Sequence, residues 1–169
     1  MVRRYYRRLP RSNNRDKYSV EQTLIHTPQA STWTEVPATD DTIATKQFAI
    51  SVIPPTNTQG MRKVKHFTIT INATFSLCYA LVYVPDGYEP NSINVPAEGM
   101  AISMYEPNQF VISQGVVDQD SGPTRITSPL SRNLNSGDSV YLILSTGPQN
   151  TPIPTGRVTS TVKYAITLQ

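Results

Sequence analysis

The sequence holds one cysteine and two histidines among its 169 residues. A lone Cys78 excludes an intramolecular disulfide and any disulfide-stapled scaffold. It sits within an apolar run, where a free cysteine behaves as a small hydrophobe. With only His26 and His66 beside it, no zinc site of known spacing can be assembled. A phosphate-binding glycine loop, a zinc-protease helix and a nucleophile elbow are all missing. The acidic residues are scattered among loops, with no close pair for acid–base work. The chain is therefore expected to be no enzyme and to need no cofactor or metal. Charge is scarce as well: 16% of residues are Asp, Glu, Lys or Arg, against about 25% in soluble domains. On a chain this rich in Thr, Ser, Asn and Pro, that scarcity points to a surface partly committed to contacts with other subunits. No apolar run approaches the ~18 residues of a membrane helix. Met1-Val2-Arg3-Arg4 leads into no apolar stretch of signal-peptide type, so neither a span nor a secretory leader is expected.

Helical periodicity is missing too. Fourteen prolines interrupt the chain, nearly all between apolar segments, and only a short turn near 97–104 has helical character. What remains is strand. From 66 to 75 the residues alternate, with Phe67, Ile69, Ile71, Ala73 and Phe75 opposed by His66, Thr68, Thr70, Asn72 and Thr74. Val158, Val162, Tyr164, Ile166 and Leu168 repeat the pattern near the end. Strict period two marks half-buried strands. The runs 77–84 and 140–144 are continuously apolar, as in strands covered on both faces, and a neighbouring subunit is a candidate for the second cover. Weaker strands are expected at 18–27, 47–53, 109–117 and 124–128, separated by Pro, Gly, Asn and Asp turns. Arg62 and Val64 would extend one face of the long strand, but Lys65 breaks the phase taken up at His66. A β-bulge at the start of that strand would explain the slip. The expectation is an all-β chain: a single eight-stranded antiparallel sandwich of jelly-roll type over 18–169, preceded by a basic N-terminal arm over 1–17. A domain of this length buries roughly two-thirds of its surface without metals or disulfides.

The formal net charge of +3 hides a division. Residues 1–17 carry seven basic side chains against Asp16, a net of +6, and the other 152 residues carry eight basic and eleven acidic groups, a net of −3. A basic segment on a mildly acidic body implies a polyanionic partner. In Arg3-Arg4-Tyr5-Tyr6-Arg7-Arg8-Leu9-Pro10-Arg11, followed by Arg15 and Lys17, guanidinium forks match phosphate oxygens and stack on bases. Tyr5 and Tyr6 add stacking worth ~1–3 kcal/mol per unpaired base, which favours single strands. Nothing here reads base sequence, because a tail presents no fixed donor pattern. Arg62, Lys63 and Lys65 form a second candidate nucleic-acid patch. The arm would serve equally as a nuclear-import signal.

The order of segments resembles capsid proteins of circovirus-like, Rep-encoding circular single-stranded DNA viruses. The resemblance runs over nearly the whole chain. It starts with the Arg-rich segment, a first strand ending His26-Thr27-Pro28, and Phe48-Ala49-Ile50-Ser51 running to Pro54-Pro55. It continues with Met61-Arg62-Lys63-Val64-Lys65 before a long strand and with Tyr105-Glu106-Pro107-Asn108-Gln109-Phe110-Val111. It closes with Pro129-Leu130-Ser131-Arg132-Asn133-Leu134-Asn135-Ser136-Gly137-Asp138 before an apolar strand and a last Val-Lys-Tyr strand. The resemblance implies one jelly roll per subunit, a sixty-subunit T=1 icosahedral shell of identical copies, and inward-facing arms on a circular single-stranded DNA genome. It also implies assembly in a host nucleus through the import machinery, and an unknown host receptor. This arm and this chain are shorter than is typical of that group, so loops and DNA contacts do not carry over one by one. The residues alone leave open a capsid of a small single-stranded RNA or satellite virus, a cellular single-stranded nucleic-acid-binding β-module, and a lectin-like sandwich.

Overall fold

The computed structural model describes residues 18–39, 42–57, 59–95, 109–119, 122–146 and 155–168. The arm and the expected helical turn at 97–104 lie outside them. Nine strands are described: β1 (Ser19–His26), β2 (Thr34–Val36), β3 (Thr45–Ile53), β4 (Arg62–Ala73), β5 (Leu77–Val84), β6 (Phe110–Val117), β7 (Thr124–Leu134), β8 (Ser139–Thr146) and β9 (Val158–Leu168). They form two sheets, a four-stranded one in the order β1-β9-β4-β7 and a five-stranded one in the order β2-β3-β8-β5-β6. Every strand pairing is antiparallel. Eight strands were expected, and the additional one is β2, three residues at a sheet edge. With β2 set aside, the first strand pairs with the last, the second with the seventh, the third with the sixth and the fourth with the fifth. One long hairpin folded across itself gives this pairing, which is jelly-roll connectivity.

Between the sheets lies one core. Phe67, Ile69 and Ile71 from β4 and Val158, Val162 and Tyr164 from β9 face Leu77, Tyr79, Leu81, Leu142 and Leu144 from the other sheet. The alternation read in the sequence thus places its apolar members inside. Trp33 closes one end, with ring centroids 6.0 Å from both Phe48 and Phe75 and its indole N–H donating to the Pro28 carbonyl at 3.0 Å.

The phase slip in β4 is a bulge. Its register with β7 shifts between Lys65 and Phe67, and its register with β9 shifts between Lys65 and Thr68. His66 sits at φ 57°, the left-handed region that side-chain-bearing residues seldom occupy. The extra residue returns Phe67 to the core face after Val64, so both segments of the strand bury their apolar members. Polar residues such as Asn tolerate this conformation, whereas β-branched ones do not. Replacing His66 by Val is expected to cost about 1–2 kcal/mol, and replacing it by Asn close to nothing, in urea unfolding of dissociated subunits.

Strand β5 is covered on both faces, as its unbroken apolar run predicts. Leu77, Tyr79 and Leu81 enter the main core. Ala80, Val82 and Val84 join Ile143 and Ile93 in a second cluster on the outside of the five-stranded sheet. The cover there is the chain's own segment 91–95, in place of the neighbouring subunit considered from the sequence. Gln47 fixes it, its side-chain carbonyl accepting from Ile93 N–H at 2.8 Å and its amide donating to the Ile93 carbonyl. Ile43 N–H adds a bond to the Val95 carbonyl at 3.0 Å.

Asp138, 4% exposed, ties the β7–β8 turn to β5 and β4. Its carboxylate accepts from Asn135 N–H (2.7 Å), Asp86 N–H (3.0 Å) and the Tyr83 hydroxyl (2.8 Å). Its backbone carbonyl accepts from the Arg62 guanidinium at 2.9 Å. Burial pushes the Tyr83 hydroxyl up to about 12, helped by the hydrogen bond to Asp138 and that group's negative charge and opposed by Arg132.

Candidate nucleic-acid interface

Cross-strand partners in a sheet share a face, so the register of the four-stranded sheet determines what its outer surface displays. One row across it is Val20, Ala165, Lys65 and Ser131; the next is Gln22, Lys163, Thr68 and Thr127; the next is Leu24, Thr161, Thr70 and Arg125. Toward the other end lie Thr167, Lys63 and Asn133, and opposite them His26, Thr159 and Asn72. These rows hold four cations, Lys63, Lys65, Arg125 and Lys163, and no acid. Glu35 and Lys46 make the one ion pair among the described residues, at 3.2 Å and on the other sheet. The four cations therefore have no carboxylate neutralising them within the described part of the chain. Lys163 and Arg125 lie on opposite sides of β4, beside Thr68 and Thr70, on strands about 4.8 Å from it.

The five-stranded sheet presents the opposite chemistry. Its outer rows are Gln47, Ser145, Cys78 and Val116; Ala49, Ile143, Ala80 and Gln114; Ser51, Tyr141, Val82 and Val111. None of these twelve side chains is charged, and five of them, Gln47, Ala80, Val82, Ile143 and Ser145, are buried within the chain itself. Burial pushes the Cys78 thiol up from its ordinary value, which keeps it protonated and poorly nucleophilic.

The second basic patch expected from the sequence is divided by the structure. Lys63 and Lys65 stand on the outer face, but Arg62 points inward in phase with Val64 and is 9% exposed. Its guanidinium donates to the carbonyls of Pro54 (3.2 Å) and Asp138 (2.9 Å), so it fastens loops and has no free fork for a phosphate. Lys65 lies over the Tyr18 ring, with Nζ 3.6 Å from the centroid. That contact matters because Tyr18 is the residue through which the chain leaves β1 toward the arm. Tyr18 is thereby held on the basic face. Arg3, Arg4, Tyr5, Tyr6, Arg7, Arg8, Arg11, Arg15 and Lys17 lie outside the described residues.

Sequence reasoning missed Lys163 and Arg125. Lys163 was visible as a polar member of an alternating strand, yet nothing in a linear reading sets it beside Lys65. Among the described residues, no group of three His, Cys, Asp or Glu side chains is placed to hold a metal ion. No described helix is long and apolar enough to cross a membrane.

No family model matches the chain, and no curated protein does. Among solved structures it is similar to one of Desmodium yellow mottle tymovirus, at 12% identity and a TM-score of 0.31, over 100% of this chain and 97% of that one. It is also similar to the VP2 subviral particle of infectious bursal disease virus, at 12% identity and a TM-score of 0.19, over 90% of this chain and 42% of that one. Superpositions this loose carry no argument about function, and neither bears on circular single-stranded DNA.

Proposed function

We propose that this chain is a viral capsid subunit, a non-catalytic structural protein. Its jelly roll assembles with further copies into a small icosahedral shell, and its basic side holds the packaged single-stranded genome. The observation that carries this reading is the division of charge. An arm of net +6 continues into a sheet whose outer rows add four cations and no acid, while the three described outer rows of the other sheet, partly covered by the chain's own segment 91–95, hold no charge. A container needs that asymmetry, with one side for cargo and the rest for contact with identical copies. The finer reading, a T=1 shell of sixty subunits around circular single-stranded DNA, with assembly in a host nucleus, follows the order of segments. Negative-stain microscopy of purified protein tests the coarse reading, and uniform small spheres are the expected result. A monomer of unaltered size under assembly conditions would overturn it. Treating the extracted nucleic acid with DNase, RNase and a nuclease that needs free ends tests the finer one.

Salt dependence separates the arm from the sheet. Each phosphate contact on a single strand contributes about −0.7 to the slope of log affinity against log salt. Seven arm contacts and four sheet contacts together give a slope of about −8 for oligothymidylate binding. The variant with Lys63, Lys65, Arg125 and Lys163 all replaced by Gln is expected to return about −5. An unchanged slope would remove the sheet from the interface.

A further inference from the structure

Beside the basic face, at the end where β4 and β7 meet the other sheet, lies a cavity of about 350 Å³ lined by Lys63, Tyr83, Ser131, Arg132 and Asn133. Every lining side chain carries a polar group and none is acidic. Two of them, Lys63 and Arg132, are cations with no ion pair among the described residues. Arg132 is held in place by two rings, its guanidinium carbon 5.7 Å from the Tyr83 centroid and 5.4 Å from that of Phe110. Those rings lie 5.7 Å from each other. A guanidinium stacked on aromatics keeps its N–H edge free for an anion. The Asp138 carboxylate beside the Tyr83 hydroxyl is already committed to Asn135 N–H, Asp86 N–H and that hydroxyl.

We infer that this cavity is a seat for one phosphodiester group of the packaged strand. Lys63 supplies a mobile point charge, Arg132 a pre-oriented fork, and Ser131 and Asn133 neutral hydrogen bonds. This deepens the cargo reading and rests on it. Its consequence is that the strand does not merely lie on the sheet. It is pinned at the β7 edge, giving each subunit a fixed point on the genome in addition to a diffuse basic surface.

The test measures fluorescence anisotropy of labelled oligothymidylate on the full chain. Asn133 is exposed, so Asn133→Asp places a carboxylate at the seat without disturbing the core. Val116→Asp, 70% exposed on the outer face of the other sheet and six residues along β6 from Phe110, makes a comparable change in net charge about 20 Å away. Asn133→Asp is expected to weaken binding about tenfold, the size of one lost charge-assisted contact, and Val116→Asp less than about twofold by long-range screening. Lys63→Ala should lower the magnitude of the salt slope by about 0.7. Equal effects of the two Asp substitutions would overturn the seat. Displacement of oligothymidylate by inorganic phosphate at matched ionic strength, lost in Asn133→Asp, would assign the cavity to free phosphate and overturn its assignment to the strand. If particles never form but Asn133→Asp still acts selectively, the capsid reading fails and the seat stands.

Discussion

Removal of residues 1–17 is expected to leave subunits that fold and form shells but package little nucleic acid. The described fold begins after the arm: β1 starts at Ser19 and is paired along all eight of its residues with β9. The Tyr18–Lys65 contact survives the deletion. What is lost is seven of the basic side chains available for phosphate. With only the sheet's cations remaining, the salt slope for single strands should fall from about −8 to about −3. At physiological salt that difference corresponds to several orders of magnitude in affinity. The measurement is the ratio of absorbance at nucleic-acid and protein wavelengths in purified particles, read alongside electron microscopy. Full packaging by the truncated chain would sink the role given to the arm. Failure to form any shell would show instead that charge neutralisation by cargo drives assembly.

The residues that made the fold legible were the alternating ones. Strands β4 and β9 announce themselves by period two, and β5 by an unbroken apolar run whose ends match the observed strand. Even the bulge was legible, because Arg62 and Val64 are out of step with Phe67. Strand β2 was not, since three residues of Thr-Glu-Val are too few to carry a period. The extension of β7 to Leu134 was hidden by Pro129 and a Ser-Arg-Asn composition typical of turns. Proline is tolerated there because β7 is an edge strand of its sheet. The interface was half legible for a physical reason. A charge run shows in the sequence, but a charged face is a property of register, and Lys163 and Arg125 share a face with Lys65 only because β9 and β7 flank β4. Arg62 shows the converse. It is a neighbour of Lys63 in sequence and lies on the opposite face in space, and its shared phase with Val64 was the clue to its inward direction.

Loss of the Asp138 carboxylate should be among the most damaging single polar changes in the described part of the protein. Asp138→Ala orphans two backbone N–H groups, of Asn135 and Asp86, together with the Tyr83 hydroxyl. Each buried donor left without an acceptor costs about 1–3 kcal/mol, so a total of about 3–5 kcal/mol is expected once the turn relaxes toward water. That is a large part of the roughly 5–15 kcal/mol that holds a domain folded. The damage spreads because the same turn is anchored from three sides. The Asp138 carbonyl receives Arg62, Gly137 N–H donates to the Thr56 carbonyl at 3.0 Å, and Gly137 itself occupies φ 84° close against Asp86. Arg62, freed from one carbonyl, would be left partly unsatisfied beneath the basic face, and the Lys63 and Lys65 side chains that follow it on β4 would lose their placement. Asp138→Asn retains one good acceptor and should cost less, about 1–3 kcal/mol. Urea unfolding of dissociated subunits ranks the three proteins, and wild type, Asn and Ala are expected in descending stability. A loss under about 1 kcal/mol for Asp138→Ala, near what an ordinary exposed hydrogen bond contributes, would mean that water replaces the carboxylate. The turn would then not be what couples the cargo-facing sheet to its partner.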